Sequence, residues 1–263
     1  MSIVNISYNS YNLQTSADSA NTILSRDILF KHLPIKEIFL QQDSIRNGFS
    51  ISDVRYSQKI ITVRGWLISD TQAHLRTLRD AFMTALSSDK EDLDIDYGSG
   101  TIRFEASVQN VTCDEEFWQI TQIPFEISFL AQPFGTATST TTIDLNSGGN
   151  ITTTPFSEGI TISGSYNPKP VITITVVAET DMTAIKFENT TTQDWIQVAR
   201  SFADAEVLTI DCDAETVQVG STNVDFTGVF PEFNPSSNTI KITSTDSGAF
   251  QITCSIVYYQ TFL

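Results

Sequence analysis

In the second half of this chain apolar residues return at every second position, a period that antiparallel sheets accept and helices do not. Ile172, Ile174 and Val176 alternate with Thr173 and Thr175. Ile185 and Phe187 alternate with Lys186 and Glu188, and Leu208, Ile210 and Cys212 with Thr209 and Asp211. Ile240, Ile242, Phe250, Ile252, Cys254, Ile256 and Tyr258 extend the pattern. Short strands parted by polar turns over roughly one hundred residues predict an antiparallel β-sandwich. Cys212 and Cys254 fall on the inward phase, as small core residues do.

The first half mixes two periods. QKIITVRGWLI, from Gln58 to Ile68, reads as a strand with Ile61, Val63 and Leu67 on one side. A helix over about 70–87 follows, with Leu75, Leu78, Phe82, Ala85 and Leu86 on one stripe. Ser69 or Asp70 is placed to cap it, and Gln72 follows Ser69 at capping-box spacing. Leu93, Ile95 and Tyr97 then alternate with aspartates, Gly98-Ser99-Gly100 turns, and Ile102, Phe104, Ala106 and Val108 alternate back. Ile123, Phe125, Ile127 and Phe129 make a further strand. The expected fold class is mainly β, with one α-helix laid on the first domain's sheet.

Between Pro133 and Pro155 the composition turns to Thr, Ser, Gly and Asn, which reads as a linker with a short strand at Ile143 to Leu145. The expected domains are 1–134 and 156–263, joined by 135–155. The segment from Thr15 to Phe49 is apolar without clear period. Leu24, Ile28, Leu29, Phe30, Ile38, Phe39 and Leu40 would be awkward on a monomer's loop, and suit an arm laid against a neighbouring subunit.

Charge narrows the function. The 263 residues carry a formal charge of −16, from 31 acidic and 15 basic side chains. Through Gly135 the counts are 17 and 11, and beyond it 14 and 4. A surface so acidic repels phosphate backbones, so specific nucleic-acid binding is not expected, whereas DNA sliding past without sticking is compatible. Asp92, Asp94 and Asp96 share one strand face, and would be the candidates for a lumen-facing acidic strand if the domain lines a channel for DNA. No apolar run is long enough for a membrane helix, so no membrane insertion is expected. The start, MSIVNISYNSYN, lacks the basic-then-apolar pattern of a secretory leader, so synthesis in the cytoplasm is expected. Cys113, Cys212 and Cys254 have neither metal-ligand spacing nor an even count.

No catalytic pattern emerges. His32 and His74 stand far apart, and no G-x-S-x-G elbow, H-E-x-x-H or Walker loop is present. Asp211, Asp213 and Glu215 suggest a calcium loop but lack its sixth-position Gly and distal Glu, so a solvated turn is the plainer reading. Asp114-Glu115-Glu116 reads the same way. No catalytic residue, cofactor or metal is expected. Trp118 and Trp195 are candidates for a sugar platform, although a strand tryptophan more often serves a core or interface.

Four stretches carry a resemblance. FSEGITISGSYNPKPVITI (Phe156 to Ile174) ends a strand in a polar turn and opens the next with proline. IKFENTTTQ (Ile185 to Gln193) makes a hairpin, and VLTIDCDAETVQV (Val207 to Val219) joins two strands by an acidic turn. TGVFPEFNPSSNTI follows, from Thr227 to Ile240. In this order they resemble the C-terminal domain of siphophage distal tail proteins. Arg55-Tyr56, the ITVRGWL strand with its helix, and Leu29 to Glu37 are similar to that family's N-terminal domain. The resemblance implies a tail-tube-like N-terminal β domain that assembles as a homohexameric ring, and a peripheral galectin-like β-sandwich. It also implies partners: the tail tube protein, a tail-associated lysin or tail fibre protein, and receptor-binding proteins at the virion's tail tip. The chain has no room for the added carbohydrate-binding modules of larger relatives. A fold likeness to galectins does not confer sugar binding. The alternatives are a carbohydrate-binding or adhesion β-sandwich, which predicts an exposed Trp or Tyr beside polar loops, and a hydrolase, which predicts carboxylates converging in a cleft.

Overall fold

The computed structural model describes residues 4–15, 21–30, 36–42, 49–113, 121–179, 181–245 and 250–263. Two compact units divide the chain, Met1–Thr136 and Ala137–Phe262, each with its own buried cluster.

The first unit holds β1 (Asn5–Tyr8), β2 (Tyr11–Asn12), β3 (Asn21–Phe30), β4 (Lys36–Gln42), β5 (Phe49–Tyr56), β6 (Lys59–Ser69), α1 (Gln72–Ala85), β7 (Glu91–Asp96), β8 (Thr101–Thr112) and β9 (Gln122–Ala131). Among the described residues, β3, β6, β9, β8, β7, β1 and β2 lie side by side in one antiparallel sheet. Strands β4 and β5 form a separate two-stranded ladder. Ile61, Val63, Leu67, Phe125 and Phe129 line the sheet's inner face, and α1 closes over it with Leu75 and Phe82. The Phe82 ring tilts against Phe125 at 4.9 Å, and Tyr8 against Phe129 at 5.1 Å. Each such buried side chain contributes about 2–3 kcal/mol relative to exposure.

Three details differ from the sequence reading. The helix runs from Gln72 to Ala85, and its cap is Thr71, whose Oγ1 accepts from His74 N at 3.3 Å. Ser69 ends β6, so the chain turns two residues later than its capping-box spacing suggested. The segment from Thr15 to Phe49 is not aperiodic where it is described. β3 pairs with β6, but a bulge between Ser25 and Asp27 inserts a residue and reverses the parity. Ile23 therefore faces in and Leu24 out, and the same pair recurs five residues later as Ile28 and Leu29. Gly65 faces Ser25 in the ladder, and a Cβ on it would meet the Leu24 carbonyl oxygen at 2.2 Å. Only glycine accommodates that approach.

The third difference lies at the start of the second unit. The stretch read as a linker contains β10 (Gly135–Asp144), followed by a turn of 3-10 helix at Leu145–Gly148. Leu145 and Ile151 are buried in the second core, and Ile151 bridges to Ile252. Threonine's branched Cβ favours extended backbone without supplying hydrophobicity, so composition alone looks like a linker.

The unit continues with β11 (Phe156–Ile162), β12 (Val171–Ala178), β13 (Ala184–Asn189), β14 (Asp194–Ala199), β15 (Val207–Asp211), β16 (Thr216–Val219), β17 (Thr222–Asn223), β18 (Thr227–Gly228), β19 (Ser236–Ser244) and β20 (Gln251–Phe262). Strands β17, β16, β15, β12, β20 and β10 make one sheet, and β11, β19, β13, β14 and β18 the other. Their inner faces meet through Ile172, Ile174, Phe187, Ile196, Ile240, Ile252 and Ile256, all essentially inaccessible to water. This is the antiparallel β-sandwich that the alternation predicts.

Candidate assembly surfaces

The arm residues occupy two settings. Leu24 and Leu29 stand on the outer face of β3, 41% and 39% exposed, while Ile28 packs against the core. In the outer row, Leu24 lies beside Trp66, which lies beside Pro124. Between that row and Leu29, Arg64 Nε meets Glu126 Oε2 at 2.8 Å. Phe30 pairs with Ile61 in the β3–β6 ladder. Ile38 and Phe39 belong to the β4–β5 ladder, where Leu40 pairs with Ile51. Lys36, Glu37, Ile38 and Phe39 are all exposed, so β4 turns both of its faces to solvent along that run, while Tyr56 of β5 stands edge-on to Phe134 at 5.2 Å. Arg55 lies over the Phe39 ring at 5.6 Å. A lone two-stranded ladder is at best marginally stable in water.

The acidic strand is β7. Asp92, Asp94 and Asp96 face outward, opposite the buried Leu93 and Ile95. They are not a bare row of charge. Arg103 of β8 lies across from Asp94 and grips it with two bonds, Nε to Oδ1 at 2.7 Å and Nη2 to Oδ2 at 2.8 Å. Its Nη1 reaches Asp92 Oδ2 at 2.8 Å. Asp96 Oδ1 accepts from Gly98 N at 2.7 Å and so holds the turn. Sequence reading found the shared face but not the clamp, although counting outward from the Gly98–Gly100 turn sets Arg103 opposite Asp94.

The remaining candidates are occupied in structural ways. His74 Nδ1 and Asp70 Oδ1 lie 2.7 Å apart at the start of α1, both more than half exposed. This hydrogen bond holds the Asp70 carboxyl below the usual carboxylate range. Ser69 Oγ donates to the same carboxylate at 3.3 Å rather than to the imidazole, so the three groups lack a nucleophile–base contact. Asp211 Oδ1 accepts from both Asp213 N and Ala214 N at 2.9 Å, which spends it on the β15–β16 turn. Among the described residues, no cluster of His, Cys, Asp or Glu is arranged to hold a metal ion. Cys212 and Cys254 are buried and free. Cys254 pairs with Ile174, and Ile174 with Leu208, four residues short of Cys212. Trp195 is half-buried, with the Lys186 ammonium 4.7 Å from its ring centre. That cation competes with a sugar for the ring. His32, Asp114, Glu115, Glu116 and Trp118 lie outside the described residues.

Comparison with known proteins agrees with this architecture. Residues 163–261 match the family described as siphovirus-type tail component, C-terminal domain. No curated protein sequence matches the chain. The fold is shared with phage SPP1 Dit, described as a paradigm of the hub adsorption apparatus in phages infecting Gram-positive bacteria. The TM-score is 0.69 at 14% identity, over 98% of this chain and 99% of that one. Chains of the activated phage P2 baseplate, with Ca and with Sr, align more loosely. Their TM-scores are 0.42 and 0.40 at 10% and 9% identity, covering 98% of both chains in the first case and 96% of both in the second. The resemblance read from Phe156 to Ile240 is thus borne out: residues 163–261 match the C-terminal domain of the siphovirus-type tail component family, and the chain as a whole shares the fold of SPP1 Dit.

Proposed function

We propose that this chain is a structural, non-enzymatic hub subunit of a siphophage tail tip, made in the host cytoplasm and incorporated into the virion. About six copies close a ring through their first units, with the second units at the periphery. The ring joins the tail tube protein to a tail-associated lysin or tail fibre protein and to receptor-binding proteins. The observation that carries this reading is the fold shared with SPP1 Dit along nearly the full length of both chains. The exposure of Lys36 to Phe39 on both faces of β4 supports it, because a heterologous contact needs a surface that its own subunit leaves accessible. Leu24 and Leu29 belong to the same candidate interface. Asp92, Asp94 and Asp96 line the lumen, where their excess over Arg103 keeps DNA from sticking.

Light scattering on the purified chain tests the ring: the expected mass is about six protomers. Replacing Ile38 and Phe39 together by Ser should leave a folded monomer, because both side chains already face water. A wild-type chain that stays monomeric at high concentration, or a double variant that still forms rings, overturns the assignment. Point substitution is the cleaner test, because deleting residues 24–40 would remove most of β3 and its pairing with β6.

A further inference from the structure

Residues 224–232 carry the chain from β17, at the edge of one sheet of the sandwich, to β18 and beyond, at the edge of the other. The crossing is pinned at several points. Val224 N donates to Val217 O at 3.0 Å, Val229 N to Trp195 O at 2.8 Å, and Glu232 N to Asp194 Oδ2 at 3.2 Å. Gly228 has φ of 111°, and a Cβ on it would lie 2.0 Å from the Trp195 carbonyl oxygen, so the loop seats on β14 only because residue 228 has no side chain. Phe226 stands edge-on to Phe230 at 5.2 Å, and Phe230 packs on the core. On this fixed backbone Val229 is 65% exposed and Phe226 37%. Both are exposed within four residues of each other, on a loop whose ordering cost is met by the fold, which favours docking.

Charge selects what it docks against. Asp225 and Glu232, both exposed, flank the two residues along the chain, and Asp194 lies beside Glu232, whose N–H its carboxylate accepts. The part of the chain beyond Gly135 carries 14 acidic and 4 basic side chains. A second copy would bring like charge to the same contact and be repelled. We infer that Phe226 and Val229 dock a different protein, through an apolar socket rimmed by Lys or Arg. This rests on the tail-hub reading, which makes the partner another component of the same particle.

The test places the photo-crosslinking residue p-benzoylphenylalanine at position 229 of the full chain, in assembled particles. The expected result is a cross-link to one other particle protein, at apolar residues flanked by Lys or Arg. Its yield should fall by at least ~3-fold when salt is raised about tenfold during assembly of that contact. Particles carrying Phe226→Ser should lose the partner while keeping this chain. Cross-links to a second copy, to an acidic or uncharged surface, or to nothing overturn the inference while leaving the hub reading intact. Absence of the chain from particles overturns both.

Discussion

Asn189 and Asn238 are fully buried side by side, and each amide is spoken for. Asn189 Nδ2 donates to Asn238 Oδ1 at 3.0 Å and to Glu232 O at 2.7 Å. Asn238 Nδ2 donates to Asn234 O at 2.8 Å, and its Oδ1 also accepts from Asn234 N at 3.1 Å. The pair fixes the chain between β18 and β19. Asn238→Ala should therefore cost about 2–3 kcal/mol in urea unfolding, because it strands several buried partners at once. The thiols give a pH signature. Burial pushes Cys212 from an ordinary 9.0 up to about 12, and burial raises Cys254 as well. Below about 9 both states keep the proton. Above it the unfolded chain loses it first, so stability should fall between about 9 and 12, by up to about 1.4 kcal/mol per pH unit for each thiol. Denaturant midpoints across that range check this, and Cys254→Ala should flatten the slope.

Elements differ in how plainly sequence announces them. β12 and β20 are legible because Ile172 to Val176 and Ile252 to Tyr258 keep strict parity with a fully buried face. β3 is not, because its bulge makes Ile23–Leu24 and Ile28–Leu29 recur after five residues, a spacing that fits neither strand nor helix. β10 is hidden for another reason: its Thr-rich sequence has branched side chains but little contrast in polarity between its faces. For the candidate surfaces, the apolar content of the arm is plain in sequence, but its division between the sheet and the β4–β5 ladder depends on pairing that sequence does not encode locally. Two predictions belong at this scale. Thr71→Ala removes the side-chain cap of α1 and should cost about 1 kcal/mol by thermal melting. Arg103→Gln leaves Asp92 and Asp94 side by side and should cost roughly 1 kcal/mol at low salt, discounted for their exposure. That loss should shrink in concentrated salt, as screened repulsion requires.

At the scale of the molecule, the buried residues form two separate clusters with no member in common. The boundary between the units falls at residues 136 and 137, near the start of the Thr-rich strand rather than after it. A fragment of 137–263 should accordingly melt cooperatively with a β-sheet circular dichroism spectrum. A fragment of 156–263 lacks β10, Leu145 and Ile151, and should be strongly destabilised or aggregate. Equal stability of the two fragments would show that β10 contributes nothing to the sandwich.

The β4–β5 ladder has one more consequence. Among the described residues, all four side chains of the Lys36–Phe39 run are exposed, and backbone hydrogen bonds of so exposed a strand open readily. In a free subunit those amides should exchange with deuterium far faster than those of β6 or β9. Any partner that covers the ladder should slow them without touching the rest of the fold. The ladder is thus a built-in clock for assembly: its exchange rate reports, residue by residue, when each subunit has found its neighbour.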